Sequence, residues 1–320
     1  MTGPAAFPPE ISARFAEGAF LLVDKPRGPT SHQVTSWVRD LLGVPTAGHA
    51  GTLDPNVSGL LWVGVGPALK MIPLVLDFPK RYVGVAAFHG RVAREDLDRA
   101  VREFTGPVYQ LPPVRSAVKR ERRVRTIHRL EAVEFDGTRL LLDVVADSGT
   151  YVRTLAVDLG EALGVGAHLE ELRRVGTGPF NEASAVSMTA LADAAVAARS
   201  GAVGPLLGLL HPLVEVWGEF PVLRLKPSAA SAVVHGADLA SGGILTTSRR
   251  YARGAHVVLT DADGAFLAFG RALVASEDVA AQSHGWVVDA ERVFADPAKY
   301  PPRWGKSPPL AAPKRPGASG

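Results

Sequence analysis

The sequence predicts a mixed α/β (α+β) fold with a small β-barrel toward its C-terminal end. Three observations carry this expectation. Strand-like segments are separated sometimes by turns and sometimes by helical segments, which argues for a mixed sheet and against a doubly wound parallel one. Asp136-Gly137 lies between two β-rich runs, a strong hairpin signal. The last stretch before the C-terminal tail, about 80 residues, holds short strands and tight turns.

Taken in order, residues 1–18 read as a loose arm rich in Ala, Pro and Gly. Phe20 to Val23 is a short buried strand, and Thr30 or Ser31 can cap a helix whose apolar positions are Val34, Trp37, Val38 and Leu41, ending at Gly43. Leu60–Val65 and Tyr82–Phe88 are strand-like, while Leu97, Ala100, Val101 and Phe104 mark an amphipathic helix. Ile127–Phe135 and Arg139–Ala146 form the hairpin, and a helix with Val152, Leu155, Leu159 and Leu163 follows Thr150. A second unit begins near Phe220, with a helical stretch at Ser228–Val234. Its strands are expected at Val257–Leu259, from Phe266 beyond the Asp261–Gly264 turn, and at Trp286–Val288. The expected division is an arm at 1–18, a large unit at 19–216, a small unit at 217–302 and a disordered tail at 303–320.

Composition removes several classes of function. Of 320 residues 47% are hydrophobic and 21% charged, as in an ordinary globular protein. No run reaches the ~18 apolar residues of a spanning helix, and Met1 to Gly18 lacks the apolar core of a secretory signal. The absence of cysteine excludes disulfides, thiolate catalysis and Cys-based zinc sites, and fits a cytoplasmic protein. The formal charge is only +3, yet the pI is about 9.3. Arginine carries most of the positive charge, and it suits bidentate phosphate contacts and stacking on bases.

That charge is concentrated. Arg115, Lys119, Arg120, Arg122, Arg123, Arg125 and Arg129 face only Glu121 within one short segment. Such a run is either a solvated loop or a phosphate-binding one, and the stiff Leu111-Pro112-Pro113 at its base favours the second. Arg249, Arg250 and Arg253, beside Tyr251, fit surface decoration and RNA contact equally. Asp54 sits before a proline in a Gly-rich turn, where an acid is ordinarily a turn former, and nearby His49 is ordinarily a hydrogen-bonded structural histidine.

A set of ordered motifs changes the reading of Asp54. Asp24-Lys25-Pro26-Arg27-Gly28-Pro29-Thr30-Ser31-His32 and Gly48-His49-Ala50-Gly51-Thr52-Leu53-Asp54-Pro55 come first. Lys80-Arg81-Tyr82, Pro112 to Arg120, Gly149 to Leu155 and His168 to Arg174 follow. In this order they resemble the TruB/dyskerin family of pseudouridine synthases, over roughly residues 20–215. Val234-His235-Gly236-Ala237-Asp238-Leu239 and Val287 to Phe294 are similar to the PUA domain of its archaeal and eukaryotic branch. The likeness points to the catalytic subunit of the archaeal box H/ACA ribonucleoprotein.

The resemblance implies the pseudouridine synthase fold, a largely antiparallel mixed sheet flanked by helices, with a C-terminal PUA domain. It also implies an isomerase that breaks the C1′–N1 bond of uridine and rejoins the ring through C5, with no cofactor and no metal. Asp54 takes the position of the required aspartate, whether as nucleophile or as base, and Arg153 that of its ion-pair partner. Tyr82 packs on the target base and is associated with C5 proton transfer. Tyr151 and Leu172 are further pocket walls. By the same resemblance His49 matches the residue that fills the space left by the flipped base in bacterial relatives, and Lys25 supports the pocket or meets phosphate. The implied partners are RNA (tRNA, rRNA and box H/ACA guide RNA), a kink-turn-binding protein and two small particle proteins. Both guided modification and action at the T-arm uridine of tRNA fit. Two rivals remain: a non-catalytic RNA-binding scaffold, against which the intact Asp54, Tyr82 and Arg153 argue, and a glycosidase, which needs a second acid that does not stand out.

Overall fold

The structure is a computed structural model, and it describes residues 6–111, 121–281 and 285–302. The chain divides into two compact units, Met1–Trp217 and Gly218–Gly320.

The first unit is built on a mixed sheet. Its elements begin with helix α1 (Pro9–Glu17), strand β1 (Ala19–Lys25), helix α2 (Ser31–Leu42), and strands β2 (Ala47–Ala50) and β3 (Ser58–Val65). Helix α3 (Ile72–Asp77), strand β4 (Lys80–Phe88), helix α4 (Arg94–Glu103) and strands β5 (Gly106–Gln110), β6 (Arg123–Phe135) and β7 (Arg139–Ala146) follow. Helix α5 (Val152–Ala162), strand β8 (Ala167–Thr177) and helix α6 (Met188–Arg199) complete the principal set. The strand order is β1-β3-β8-β4-β7-β6-β5, with β2 paired to β3 and the short Val186–Ser187 strand at the far side of β1. Pairing is antiparallel except where β1 meets Val186–Ser187 and where β3 meets β8, the latter only at Ser58–Arg173 and Gly59–Arg174. That second seam lies beside the candidate site.

Two apolar clusters hold the unit. One joins α1, α2 and α6 to β1 and β3 through Ile11, Leu21, Val34, Val38, Leu61 and Leu191. The other packs α4 and α5 on β4, β6 and β7 through Leu97, Ile127, Leu142, Val144 and Leu155. Local sequence explains the boundaries well. Thr30 and Gln33 form a capping box at the start of α2, and Gly43 ends that helix in the left-handed region. Asp136 closes the β6–β7 hairpin by accepting from the Thr138 and Arg139 amides.

Three sequence expectations need correction. Residues 9–17 are a helix docked on the core, not a loose arm: Ile11 is fully buried, and Phe7 and Phe15 pack edge to face beside it. The Ala/Pro/Gly composition concealed these apolar anchors. Trp37 is 45% exposed although it falls on the apolar stripe of α2, where Thr35 is buried instead. The central strand β8 received no strand assignment from periodicity, because its sequence reads as a charged, helix-like run.

The second unit carries a six-stranded sheet ordered Leu239–Ala240, Trp286–Val293, Phe266–Ala272, His256–Thr260, Val222–Leu225, Ile244–Thr247. Only His256–Thr260 and Val222–Leu225 run parallel. Helix Pro227–Val234 buries Ala230, Val233 and Val234 against it. The 303–320 tail lies outside the described residues.

Candidate active site

The turn bearing Asp54 joins β2 to β3, and three buried side chains grip its backbone on alternate residues. Arg174, 1% exposed on β8, donates to Gly51 O (2.9 Å) and to Leu60 O (2.7 Å). Ser31, at the first turn of α2, accepts from the Leu53 amide (2.8 Å) and donates to Leu53 O (2.9 Å). Lys25, fully buried at the end of β1, donates to Pro26 O (2.9 Å) and Pro55 O (3.3 Å), while Pro55 O also accepts from the Gly28 amide (2.8 Å). Residues 51, 53 and 55 are thus tied inward, and the Asp54 side chain is left to project into the cavity. Each buried donor also satisfies a carbonyl that would otherwise be costly to bury.

Two glycines make room for this scaffold. Gly51 has φ +74°, and a Cβ there would lie 3.0 Å from the Arg174 guanidinium. Gly59 has φ +103°, and a Cβ would fall 2.2 Å from Arg174 O, so only glycine fits where β3 crosses to β8.

Asp54 forms an ion pair with Arg153, at the second position of α5. Both side chains remain about half exposed, at 56% and 52%, so the carboxylate keeps an open side. The pair opens onto a cavity of about 360 Å³ also lined by Tyr82, Tyr151, Leu169, Leu172 and Lys80. Tyr82 and Leu172 are brought there by β4 and β8, and Tyr151 precedes α5. Burial lowers the Arg174 pKa, and the neighbouring Tyr82 opposes that shift.

At the floor, Lys80 is 4% exposed and donates to Phe78 O (2.7 Å), Leu76 O (2.8 Å), Val75 O (3.2 Å) and Ser148 Oγ (3.3 Å). Burial first, then the Arg174 charge, push its pKa down to about 7, with Asp77 opposing. The carbonyls at the C-terminal end of α3 favour the ammonium form. Among the described residues no group of three or more His, Cys, Asp or Glu could hold a metal ion.

Five predicted residues therefore meet at one cavity: Asp54, Tyr82, Tyr151, Arg153 and Leu172. Two do not line it. Lys25 stands behind the turn and supports it; burial lowers its pKa and Asp54 raises it. His49 stands on β2, with Nδ1 3.0 Å from Thr35 Oγ1 and Nε2 3.3 Å from Thr52 Oγ1, and its ring meets His32 edge to face. Thr35 already donates to Ser31 O (2.8 Å), so its oxygen accepts from His49 Nδ1–H, which assigns the tautomer. Burial, with the His32 and Arg174 charges, pushes His49 down to about 4 and makes it neutral at pH 7.

The basic groups are only partly visible. Arg115, Lys119 and Arg120 lie outside the described residues. Arg122 and Arg123 are exposed where β6 begins. Arg125 is half-buried and lies against Gly149 of the cavity rim, where a Cβ would stand 3.3 Å from its Nε. Arg249, Arg250 and Arg253 are exposed in the second unit, whereas Tyr251 beside them is buried in its core. Sequence reasoning offered Ser31 only as a possible helix cap and gave no individual role to Lys80 or Arg174, since nothing local marks a buried cation within a charged run.

Comparison with known proteins accounts for this arrangement. The model of the TruB family pseudouridylate synthase N-terminal domain matches residues 39–152. That of the tRNA pseudouridylate synthase B C-terminal domain matches 153–216, and the PUA domain matches 221–294. The chain is thus a pseudouridine synthase catalytic region followed by a PUA domain. It belongs to the TruB family of pseudouridine synthases, and it is an isomerase of that type.

Its relatives include a probable tRNA pseudouridine synthase B of Methanothermobacter thermautotrophicus, 42% identical over 92% of this chain and 91% of that protein. Another, from Pyrobaculum calidifontis, is 43% identical over 89% and 86% of the two chains. Among solved structures, a chain of a Cbf5-Nop10-Gar1 complex superposes with TM-score 0.84 at 36% identity, covering 94% of this chain and 93% of that one. A chain of an H/ACA RNP bound to a substrate RNA containing 2′-deoxyuridine gives 0.79 at 34% identity, covering 95% and 94%.

Proposed function

We propose that the chain converts uridine to pseudouridine in RNA at the cavity between Asp54 and Tyr82, as the catalytic subunit of a box H/ACA-type guided particle. The observation that carries the chemistry is the Asp54–Arg153 pair at the mouth of an aromatic-walled cavity, with no second carboxylate among its lining residues. A target uridine leaves its helical stack, at a cost of a few kcal/mol, and its base enters against Tyr82 and Leu172. Asp54 acts at C1′ as nucleophile or at the neighbouring 2′ position as base, while Arg153 fixes the orientation of its carboxylate.

The C1′–N1 bond breaks, the uracil turns within the cavity, and C1′–C5 forms. The C5 proton is then removed and N1 gains a proton. We assign that transfer to Tyr82, a reading supported by its place in the cavity lining. Leu172, Leu169 and Tyr151 confine the detached base.

The guided role is supported by similarity along nearly the whole chain to a chain of a Cbf5-Nop10-Gar1 complex and to one of an H/ACA RNP bound to a substrate RNA. The expected companions are small particle proteins of that kind, a kink-turn-binding protein and a guide RNA that reads the sequence in rRNA. The names of the sequence relatives favour a second substrate, a tRNA uridine of the T arm. In either case the PUA unit, with Arg249, Arg250 and Arg253, contributes RNA grip, and the segment at 115–125 meets phosphates. We place the work in the cytoplasm, and no described helix is long and apolar enough to cross a membrane.

Purified protein offered tRNA alone, and then target with guide RNA and companions, separates the two substrates when pseudouridine is mapped in each. Modification only in the assembled particle supports the guided role alone. Absence of pseudouridine in both arms overturns the assignment.

A further inference from the structure

Outside the cavity, one buried side chain holds the backbone of the residue at which α5 begins. Tyr151 is the N-cap of α5, yet it makes no side-chain cap hydrogen bond, and the buried Thr150 hydroxyl has no partner. The usual Ser, Thr, Asp or Asn cap is therefore missing at the helix that presents Arg153. In its place stands Gln110, the last residue of β5 and only 3% exposed. Its Oε1 accepts from the Tyr151 amide (2.9 Å), and its Nε2 donates to Tyr151 O (3.1 Å). Tyr151 O also receives the first helical bond, from the Leu155 amide (3.0 Å).

A primary amide bonded to both the N–H and the C=O of one residue fixes that residue's position and its direction together. Arg153 follows two positions later, so its reach to Asp54 depends on the placement of this helix start. Tyr151 is itself a cavity wall. Gln110 is not among the residues that line the cavity.

We infer that Gln110 is a positioning residue for pseudouridine formation: its two-point clasp on the Tyr151 backbone aims Arg153 at Asp54 and sets the Tyr151 wall. The inference rests on the proposed catalytic role of Asp54 and Arg153. Its action is local, and it requires a group in position 110 that can accept and donate at once. Glutamine does so at every pH. A glutamic acid does so only when protonated, since the carboxylate presents a second acceptor to Tyr151 O, and burial raises the pKa of such a group.

The test compares Gln110→Ala and Gln110→Glu with the unchanged chain and with Asp54→Asn. All are measured for single-turnover rate, RNA affinity and thermal stability from pH 5.5 to 8. Misplacement of a reacting group by about 1 Å can cost ~100-fold, and the expected loss in turnover for Gln110→Ala is about 10- to 100-fold, with RNA affinity within about threefold. Gln110→Glu should be as slow as Gln110→Ala at pH 8. Relative to the unchanged chain it should recover as the pH falls, while Gln110→Ala does not.

Full turnover in Gln110→Ala overturns the inference, as does a Gln110→Glu ratio that is flat with pH. Equal losses of RNA affinity and turnover also overturn it, because they indicate general damage. If Asp54→Asn itself turns over, the catalytic reading fails first, and that result is distinct from all of these.

Discussion

Two carboxylate–arginine assemblies stand on opposite faces of the same sheet, and they are built to different ends. Asp143 on β7 pairs in register with Val83, next to Tyr82, and therefore points away from the face that Tyr82 presents to the cavity. It is nearly buried, accepts from the Nη2 and Nε of one Arg81 guanidinium edge (2.5 and 3.1 Å), and accepts from Arg129 at 3.0 Å. The Arg81 hydrogen bond, and then the Arg129 charge, hold its pKa below the usual carboxylate range against desolvation. Asp54 has one arginine and an open side, and its precision comes from the backbone on either side of it. The same chemical pair is saturated at one place and left unsaturated at the other. Saturation suits a strand cross-link, while open acceptor capacity suits a group that must meet a substrate.

The sharpest way to break this contrast is to remove one charge from each assembly. Asp54→Asn keeps the shape and should lower turnover by at least about 10⁴-fold, a transition-state loss of ~5 kcal/mol or more, with thermal stability and RNA affinity little changed. Retained turnover in a single-turnover assay would remove Asp54 from the chemistry. Asp143→Asn should do the reverse. Its arginines are half exposed, so the loss is moderated by solvent, and we expect about 1–3 kcal/mol of stability with turnover within about twofold. Urea unfolding checks the first part; a strong drop in turnover without destabilisation would refute the division of labour. The charge contribution of Asp143 has a definite sign. Its folded pKa is depressed, so the stabilisation is present above the unfolded value and is lost as the pH falls through the folded one.

A third class of arginine sharpens the comparison, because it is committed neither to a strand cross-link nor to the cavity. Arg122 and Arg123 are exposed where β6 starts. Replacing both by glutamine should weaken RNA binding by about 0.5–1 kcal/mol each and flatten the salt dependence by ~0.7–0.9 per arginine. Binding titrations at several salt concentrations read this directly. An unchanged slope would return the pair to solvated decoration.

How much of this was legible before the fold depends on the kind of signal. The helix α2 and the β6–β7 hairpin were readable because Thr30, Gln33, Gly43 and the Asp136-Gly137 turn act locally. Asp54, Tyr82, Tyr151, Arg153 and Leu172 became readable together only as ordered motifs, since no local rule distinguishes a catalytic acid from a turn former. The fold brings them to one cavity, while their roles rest on the experiments above. Lys25 and His49 were set in the pocket by the same motifs, but the fold puts them behind the Asp54 turn. Arg174 and Gln110 were invisible for a different reason. Each is a polar residue whose burial is decided by partners far away in sequence, at Leu60 and Gly51 for one and at Tyr151 for the other. Helix α1 was missed because a few well-placed apolar side chains outweigh a loop-like composition.

The smallest expected effect concerns His49, which helps to hold the turn without entering the cavity. Its two nitrogens are used by Thr35 and Thr52 in a neutral, Nδ1-protonated form, and burial with nearby positive groups pushes its pKa down to about 4. The unfolded chain binds a proton at this residue near its ordinary value of 6.5, and the folded chain resists doing so. Folding stability from His49 is therefore complete above about pH 6.5 and declines as the pH falls toward about 4. Because the ring keeps some contact with solvent, the loss should be ~1 kcal/mol or less. His49→Gln has no such titration, so the stability advantage of the unchanged chain should narrow between pH 7 and pH 4. The Asp143 effect sets in at lower pH, which keeps the two windows apart. If the advantage stays constant across that range, His49 is not held neutral by its surroundings, and the turn scaffold relies on Ser31, Lys25 and Arg174 alone.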